Sequence, residues 1–385
     1  MRITRPLVIS IWLLLLAGTW PVAAADLGVW VYDFPRWSET QWESKAATLP
    51  PGTRHLYANV EDGSNFLLQE QFRAEGLQRL VGVLRERSGI LTHALILQDT
   101  RWLDDVEGAQ ARVARVVALN RFFPERAFAG VQTDVQPQTL EDWECGGVTE
   151  RRTLMQKLQM LFRRLASALP GPEPAVAKGG SGRLQLSAAL PWWIGSSSTD
   201  IPEASPRRFF ESVDEIVLTA YGDPGGPRIG GSAQALLGRL QDARPWRDVP
   251  PGKGFRIGLA TYEYPSPAKL LATVRELDSA LGNQKAYRGT AVFHSAGSYG
   301  APLTSSVRGL VQDAGGQPVG LASLKIGGRQ AATNRCGRFV VRDLPAAEVV
   351  LQVKASGFRS VTIPLEGLVE GQELGIPPIV LERKS

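Results

Sequence analysis

The sequence predicts an α/β protein in which a (β/α)8 TIM barrel is followed by a small all-β domain. Strand patterns alternate with helical patterns from Leu27 to about Pro302, and this alternation requires a parallel sheet because parallel strands need crossover helices. Eight such units over about 275 residues fit a barrel of this class, which typically has about 250. From Ser306 onward the apolar period becomes two and no helical pattern follows.

Eight short apolar runs are predicted as strands, with seven helices between them. The second to fourth helices have apolar residues at spacings of three and four. Two Ser-Pro pairs, at 205–206 and 266–267, place a capping hydroxyl before a proline suited to the first helical turn. The predicted strands are Leu27–Phe34, His55–Asp62, Leu91–Asp99, Phe128–Pro137, Leu184–Trp193, Glu215–Asp223, Phe255–Glu263 and Gly289–Ser295. The predicted helices lie near Glu39–Leu49, Gln69–Ser88, Ala109–Phe123, Glu150–Leu169, Pro206–Val213, Ser232–Ala243 and Pro267–Leu281.

A doubly wound open sheet is the alternative to the barrel. It would normally carry a glycine-rich phosphate loop after an early strand. The turn after the first strand instead reads Pro35-Arg36-Trp37. The barrel is therefore favoured, and no nucleotide cofactor is expected.

The first 25 residues have the pattern of an export signal. Arg2 and Arg5 precede an apolar stretch from Leu7 to Ala17, and three alanines end at Ala25. We expect cleavage before Asp26, which would leave a periplasmic or secreted protein without a stable membrane span. The alternative is that the segment stays uncleaved and anchors the protein in the membrane. The mature chain is too mildly basic, and has no basic run long enough, to indicate nucleic-acid binding. The expected domains are then 26–303 for the barrel and 304–385 for the β domain.

The two cysteines carry little information. Cys145 and Cys336 are far apart in the chain and fall in different predicted domains. Export permits a disulfide, but two cysteines do not make a framework. We expect one free thiol in each domain. No cysteine or histidine spacing indicates a zinc site, so no metal is expected.

The segment after Thr304 resembles a known module. Its predicted strands are Val307–Val311, Ala322–Ile326, Arg338–Val341, Val349–Ala355 and Ser360–Ile363. Five sequence blocks, in order and spacing, resemble the carboxypeptidase regulatory-like family: VRGLV at 307–311, QPV at 317–319, GRF at 337–339, LP at 344–345 and VKASGF at 353–358. The sequence departs from that family at Ala347-Glu348, where a glycine is usual. The resemblance implies an immunoglobulin-like β-sandwich with an adhesive or spacer role and no peptidase activity; a stabilising appendage without a partner is the alternative.

The fourth predicted strand carries the clearest functional signal. Residues i and i+2 share one face of a strand, so Gln132, Asp134 and Gln136 lie on one side. Three polar residues on a buried face are costly unless they form hydrogen bonds or line a site. Because the apolar face must meet the helices, we expect these three side chains to enter the barrel and rise to its mouth, where barrel enzymes place their sites.

This strand resembles the signature of chitinase-type glycoside hydrolases, which is a Gly-apolar-Asp-x-Asp-x-Glu run. It reads Gly130-Val131-Gln132-Thr133-Asp134-Val135-Gln136. The glycine, the apolar residue and the middle acid match, but glutamine replaces the first acid and also the final, proton-donating one. The run LTAY at 218–221 resembles the family's strand-6 pattern, and this implies that Tyr221 lies beside the reacting sugar. A glycosidase needs an acid to protonate the leaving oxygen, and Gln136 cannot do this.

Other carboxylates and aromatic residues extend the list of candidates. Glu263 ends the seventh predicted strand and could pair with Asp134 at about 5–5.5 Å in a retaining glycosidase. Trp192 and Trp193 could stack on a sugar ring or pack in the core. Glu61 and Asp99 are further candidates for substrate binding, with ion pairing or solvation as the alternative.

These observations leave three functions open, all without a cofactor. The first is an exported glycoside hydrolase that acts on a polysaccharide or oligosaccharide. The second is a catalytically inactive barrel that binds such a ligand, and the third is an envelope scaffold that acts through its β-sandwich domain. The two glutamines favour the second function over a chitinase, but they do not weigh against the Asp134–Glu263 pair. Fold alone cannot decide, because barrels host many chemistries.

Overall fold

The structure is a computed structural model of the chain. It describes residues 26–38, 40–63, 65–170, 184–194, 201–222, 231–243, 247, 249–294, 299, 305–345, 347–369 and 373–384. The predicted export signal lies outside the described residues. Within those ranges, no helix is long and apolar enough to cross a bilayer.

Eight parallel strands close into a barrel, which confirms the predicted architecture. In chain order the first ten strands are β1 (Leu27–Val31), β2 (Thr53–Asn59), β3 (Glu61–Asp62), β4 (Asn65–Phe66), β5 (Leu91–Ile96), β6 (Gly130–Thr133), β7 (Gln185–Pro191), β8 (Glu215–Thr219), β9 (Gly254–Ala260) and β10 (Tyr287–Phe293). The barrel order is β1-β2-β5-β6-β7-β8-β9-β10, and β10 pairs with β1 to close it. Strands β3 and β4 form a small antiparallel hairpin.

Helices join successive barrel strands, as parallel pairing requires. They are α1 (Trp42–Ala46), α2 (Gln71–Ser88), α3 (Val106–Phe122), α4 (Glu141–Cys145), α5 (Val148–Ala168), α6 (Pro206–Phe210), α7 (Ala233–Ala243) and α8 (Pro267–Leu281). The hydroxyl of Ser266 accepts a hydrogen bond from the Lys269 N–H at 3.3 Å and caps α8. Ser205 makes no such bond at α6, so the capping prediction is wrong there.

Seven of the eight barrel strands are shorter than the sequence predicts, because their carboxyl ends leave the ladder early. Short 3-10 turns follow several of them, over Phe34–Arg36, Thr100–Leu103, Pro137–Thr139 and Thr261–Glu263. Side chains at these ends therefore sit on turns at the barrel mouth. This is the face on which barrel proteins build their sites.

Two apolar layers hold the barrel. One lies between strands and helices, and the other fills the lumen, where Trp30, Tyr57 and Leu95 are packed with small residues such as Ala189 and Ala291. Below this lumen core lies a polar cluster. It consists of His55, His93, Tyr57, Glu215 and Arg256. The barrel is thus a packed core with its open end at the strands' carboxyl termini.

Two four-stranded sheets form the second domain. Its strands are β11 (Ser305–Asp313), β12 (Ser323–Ile326), β13 (Arg329–Ala332), β14 (Arg338–Leu344), β15 (Val349–Lys354), β16 (Val361–Leu365), β17 (Glu373–Gly375) and β18 (Ile379–Leu381). One sheet runs β14-β11-β17 with β18 also paired to β11, and the other runs β13-β12-β15-β16. Apolar side chains from both sheets share one core. The sequence missed β13, β17 and β18, which are only three or four residues long.

The expectation of two free thiols is wrong, because Cys145 and Cys336 form a disulfide. Their Cα atoms are 5.4 Å apart, although 191 residues separate them in the chain. Cys145 ends α4, in the segment between β6 and α5, and Cys336 lies in the turn before β14. The bond therefore joins the two domains.

Candidate functional site at the barrel mouth

Asp134 lies at the centre of the barrel mouth, immediately after β6. Its N–H donates to the carbonyl oxygen of Leu97 at 3.3 Å, which continues the strand pairing one residue further. Its carboxylate accepts a hydrogen bond from Nε2 of Gln136 at 2.6 Å and another from the phenol of Tyr32. Burial raises the pKa of the Asp134 carboxyl above its usual range, while the two hydrogen bonds oppose that shift.

Aromatic rings form a wall beside Asp134. Phe293, at the end of β10, lies 5.1 Å from the ring of Tyr32, 5.8 Å from that of Tyr221 and 6.1 Å from that of Tyr262. Four strand ends contribute to this cluster, and all four side chains are half-buried. The wall thus leaves part of its aromatic surface accessible at the carboxyl ends of the strands.

Tyr221 lies near enough to two carboxylates for both of their charges to act on it. Burial raises its pKa well above the ordinary value, and the negative charges of Asp134 and Glu263 add to the shift. The predicted partners Asp134 and Glu263 therefore act on the same phenol. At neutral pH Tyr221 keeps its proton and can serve as a hydrogen-bond donor.

Glu263 is buried and takes part in holding the loop after β8. Its Oε1 accepts a hydrogen bond from the N–H of Gly222 at 2.8 Å. The neighbouring Tyr262 donates its phenol to the carbonyl oxygen of Gly222. This arrangement fixes the loop that carries Tyr221.

The two glutamines occupy different depths. Gln132 is completely buried in the lumen, where Oε1 accepts from the hydroxyl of Ser187 and Nε2 donates to the carbonyl oxygen of Thr133 at 3.4 Å. Gln136 lies higher and half-buried, and its Oε1 accepts from Nε2 of Gln138 at 3.0 Å. Of the two glutamines, Gln136 is thus the one whose side chain is accessible for contact with a ligand at the mouth.

Trp192 and Trp193 follow β7 at the same end of the barrel, and both are half-buried. Trp192 packs against the outer core, with the guanidinium of Arg239 5.9 Å from its ring. Trp193 pairs with Trp143 of α4 at a ring distance of 5.4 Å. The two tryptophans therefore differ in surroundings, and Trp193 belongs to the rim.

Glu61 and Asp99 are held by structural contacts. Glu61 is buried and ion-paired with Arg112, and Nε2 of Gln98 donates to it at 3.4 Å. Asp99 is exposed and caps the 3-10 turn at Thr100–Leu103, where its Oδ1 accepts from the N–H of Arg101 at 2.8 Å. Their predicted substrate contacts stay predictions.

Sequence reasoning missed Tyr32, Phe293 and Trp143. Tyr32 continues the lumen-facing alternation of Trp30, and Phe293 continues that of Ala291, so the period of two could have found both. Trp143 had no such signal, because it lies on a short helix outside the strand pattern. Among the described residues, no three histidine, cysteine, aspartate or glutamate side chains converge as a metal site requires.

Comparison with known proteins adds little to this geometry. No family model matches the sequence, and no curated protein matches it. A chitinase structure from Chromobacterium violaceum matches 62% of this chain and 69% of its own, at 15% identity and a TM-score of 0.37. A 3-chlorocatechol 1,2-dioxygenase from Rhodococcus opacus matches 21% of this chain, with 16% identity and a TM-score of 0.18. A type II cohesin–X-dockerin complex from Acetivibrio cellulolyticus matches 20%, with 13% identity and a TM-score of 0.18.

This chain spans 60% of the length of that dioxygenase and 56% of the cohesin–dockerin chain. The TM-scores are all below 0.5, so the fold rests on the strand pairing described above. Strand pairing and site together define a closed parallel (β/α)8 barrel. Its mouth carries an aromatic wall and a central carboxylate.

Proposed function

We propose that this protein binds a polysaccharide or oligosaccharide at the barrel mouth without cleaving it. The observation that carries the proposal is the contact between Gln136 and Asp134. In the resemblance to chitinase-type hydrolases, Gln136 takes the place of the proton donor, and it donates its amide to Asp134 at 2.6 Å. An amide has no titratable proton to give to a leaving oxygen.

The chemistry of the mouth supports a sugar as the ligand. Small-molecule sites combine aromatic and apolar walls with a few well-placed polar groups. Here the rings of Tyr32, Tyr221, Tyr262 and Phe293 supply flat apolar surface. The Asp134 carboxylate can accept hydrogen bonds from sugar hydroxyls, and Tyr221 can donate one.

A glycoside hydrolase that uses Asp134 and Glu263 is the second candidate. One observation favours it: burial raises the pKa of Asp134, and a raised pKa is what a carboxylic general acid needs. Glu263 would then have to act as the nucleophile. Its Oε1 already accepts from Gly222, and such a bond weakens a carboxylate nucleophile, so binding without cleavage is preferred.

Export is part of the proposal. The signal-like residues 1–25 support it, and so does the disulfide between Cys145 and Cys336, since such bonds persist in oxidising compartments. We place the mature chain in the periplasm or outside the cell. The two β sheets of the second domain are compatible with a carboxypeptidase regulatory-like immunoglobulin sandwich, which gives that domain a spacer or adhesive role.

A glycan-array screen of residues 26–385, with product analysis by mass spectrometry on every hit, tests the proposal. Asp134→Ala serves as the site variant. We expect hits that the variant loses, and no cleaved product. Product that disappears in the variant would establish the hydrolase, and Glu263 would be examined next. No hit at all would overturn the carbohydrate function and favour a scaffold that acts through the second domain.

A further inference from the structure

The short helix α4 lies at the rim of the barrel mouth and is held by the second domain. It follows β6, the strand that carries Asp134, and it comprises five residues, Glu141–Cys145. A helix of this length is unstable by itself in water. Its N-cap residue, Leu140, makes no side-chain cap, and none of its five side chains is fully buried. Its position must therefore be set by contacts with other parts of the chain.

Contacts from one turn of the second domain reach α4 along its whole length. The N–H of Arg335 donates to Glu141, and the guanidinium of Arg335 pairs with Asp142. Nδ2 of Asn334 donates to Oε2 of Glu144 at 2.9 Å. The disulfide from Cys336 fastens Cys145 at the last position of the helix. Four of the five residues of α4 are thus bonded to this turn.

The fifth residue, Trp143, faces the other way. Helix residues advance by about 100° each, so Trp143 lies about 200° around the axis from Glu141, opposite the face that meets the second domain. Its ring packs against the barrel core and lies 5.4 Å from the ring of Trp193. Its carbonyl oxygen accepts from Nε of Arg151 at 2.8 Å, and the guanidinium of Arg151 lies 5.9 Å from its ring. Trp143 is therefore a support behind Trp193.

We propose that Trp193 is a second aromatic platform for a carbohydrate, apart from Asp134 and its aromatic wall, and that the second domain positions it through α4 and Trp143. The inference rests on the proposed carbohydrate function and adds to it a preference for ligands of several sugar units. A ligand of several sugar units would reach both Asp134 and Trp193, because each follows one of two neighbouring strands, β6 and β7. A ligand of one or two units would contact only Asp134 and its aromatic wall.

Amide hydrogen exchange of the mature, disulfide-bonded chain tests the positioning step without any ligand. Arg335→Ala removes the ion pair to Asp142 but leaves the disulfide. Cys145→Ser with Cys336→Ser removes the bridge. We expect exchange across 140–146 to become several-fold faster in both variants. The control is Arg359→Ala, which removes another exposed pair of the same domain, to Glu382 at 3.7 Å, away from α4. Unchanged exchange in Arg335→Ala would overturn the positioning step.

Calorimetry with cello- and N-acetylchito-oligosaccharides of two and six units tests the platform. Trp193→Ala should weaken the binding of the hexasaccharide about tenfold, because one aromatic contact is lost. The affinity for the disaccharide should stay unchanged. Arg335→Ala should act in the same direction, and Arg359→Ala should have no effect. If Trp193→Ala weakened the binding of the disaccharide and the hexasaccharide equally, the platform would be overturned while the carbohydrate function stands. Failure of both series to bind the unaltered protein would reject the platform for these two glycan classes, and the array would then decide the proposed function separately.

Discussion

Gln136 donates a hydrogen bond from Nε2 to Oδ1 of Asp134 over 2.6 Å. The two side chains share one face of the segment that leaves β6. In the sequence resemblance to chitinase-type hydrolases, the amide takes the place of the acid. Under the proposed function, this contact distinguishes a barrel that binds a sugar from one that cleaves it, and a single substitution can change it.

Gln136→Glu should turn binding into slow hydrolysis. A carboxyl group at hydrogen-bond distance from Asp134 would share a proton with it, and the repulsion between the two charges would raise one of the two pKa values. A protonated acid at the mouth is the group that the reaction lacks. Supply of a general acid typically contributes about 10²–10⁴-fold in rate, so we expect product at about that factor above the uncatalysed background. Mass spectrometry of array hits measures it.

Gln138→Glu is the matched control. Gln138 lies next in the same chain of amides, since its Nε2 donates to Oε1 of Gln136 at 3.0 Å. The substitution Gln138→Glu adds the same charge one residue further along this chain of amides from Asp134, and the variant should give no product. If Gln136→Glu binds sugar yet releases no more product than this control, the missing acid is not what prevents cleavage.

Asp134→Asn should stabilise the fold at neutral pH while it weakens ligand binding. The pKa of Asp134 is raised by burial, so the folded state holds its proton more tightly than the unfolded state does. Stability therefore falls as the pH rises through the raised pKa, and the penalty is complete above it. Removal of the charge relieves this penalty. We expect a Tm a few degrees above that of the unaltered protein at pH 8.

The decisive measurement is how the Tm difference between Asp134→Asn and the unaltered protein depends on pH. Below about pH 3 both proteins carry an uncharged side chain at position 134, since an unperturbed aspartate titrates near 3.9. The Tm difference should then vanish, apart from the effect of the amide itself. An equal difference at pH 3 and pH 8 would mean that the charge of Asp134 carries no cost in the folded protein.

Parts of this site could be predicted from the sequence because they follow strand periodicity. The alternation that placed Asp134 and Gln136 on one face needs only the period of two, and the closed barrel follows from eight strand–helix units. The contact between Cys145 and Cys336 could not be predicted, because it depends on how two domains meet across 191 residues. The structural role of Glu61 was equally hidden, since Glu61 lies on β3 and its partner Arg112 lies on α3, 51 residues further along the chain.

The polar cluster at the closed end of the barrel should keep two histidines neutral. Nδ1 of His55 lies 3.0 Å from Nε2 of His93. Burial, with the nearby Arg256 charge, lowers the pKa of His55 to about 2, and burial lowers that of His93 to about 4. Imidazole NMR signals of these two residues should not titrate above pH 5. The chain unfolded in urea is the control, in which histidines titrate near 6.5.

The same two histidines predict acid sensitivity. Because their folded pKa values lie below the unfolded value, the unfolded state binds more protons as the pH falls below about 6.5. The free energy of unfolding should therefore decrease from about pH 6.5 downward, through the pKa of about 4 for His93. Urea denaturation between pH 4 and 8 measures this slope. A flat profile over that range would contradict the lowered pKa values.

Gly130 is required by packing, and its replacement should destabilise the barrel. A Cβ atom at this position would lie 2.4 Å from Nδ1 of His93 and 2.8 Å from the carbonyl oxygen of Gln185. The second neighbour is backbone of the adjacent strand, paired directly with Gly130, and cannot move aside. Gly130→Ala should cost about 1–3 kcal/mol of unfolding free energy, as overpacked cores do.

Gly238→Ala is the opposite case and serves as the comparison. Gly238 lies on the exposed side of α7, and a Cβ there would meet no heavy atom within 4 Å. Alanine exceeds glycine in helix propensity by about 0.8–1.0 kcal/mol, so this variant should be more stable than the unaltered protein. Urea denaturation of both variants should give shifts of opposite sign. A stabilised Gly130→Ala would mean that β6 and β7 can separate enough at this point to accommodate a methyl group.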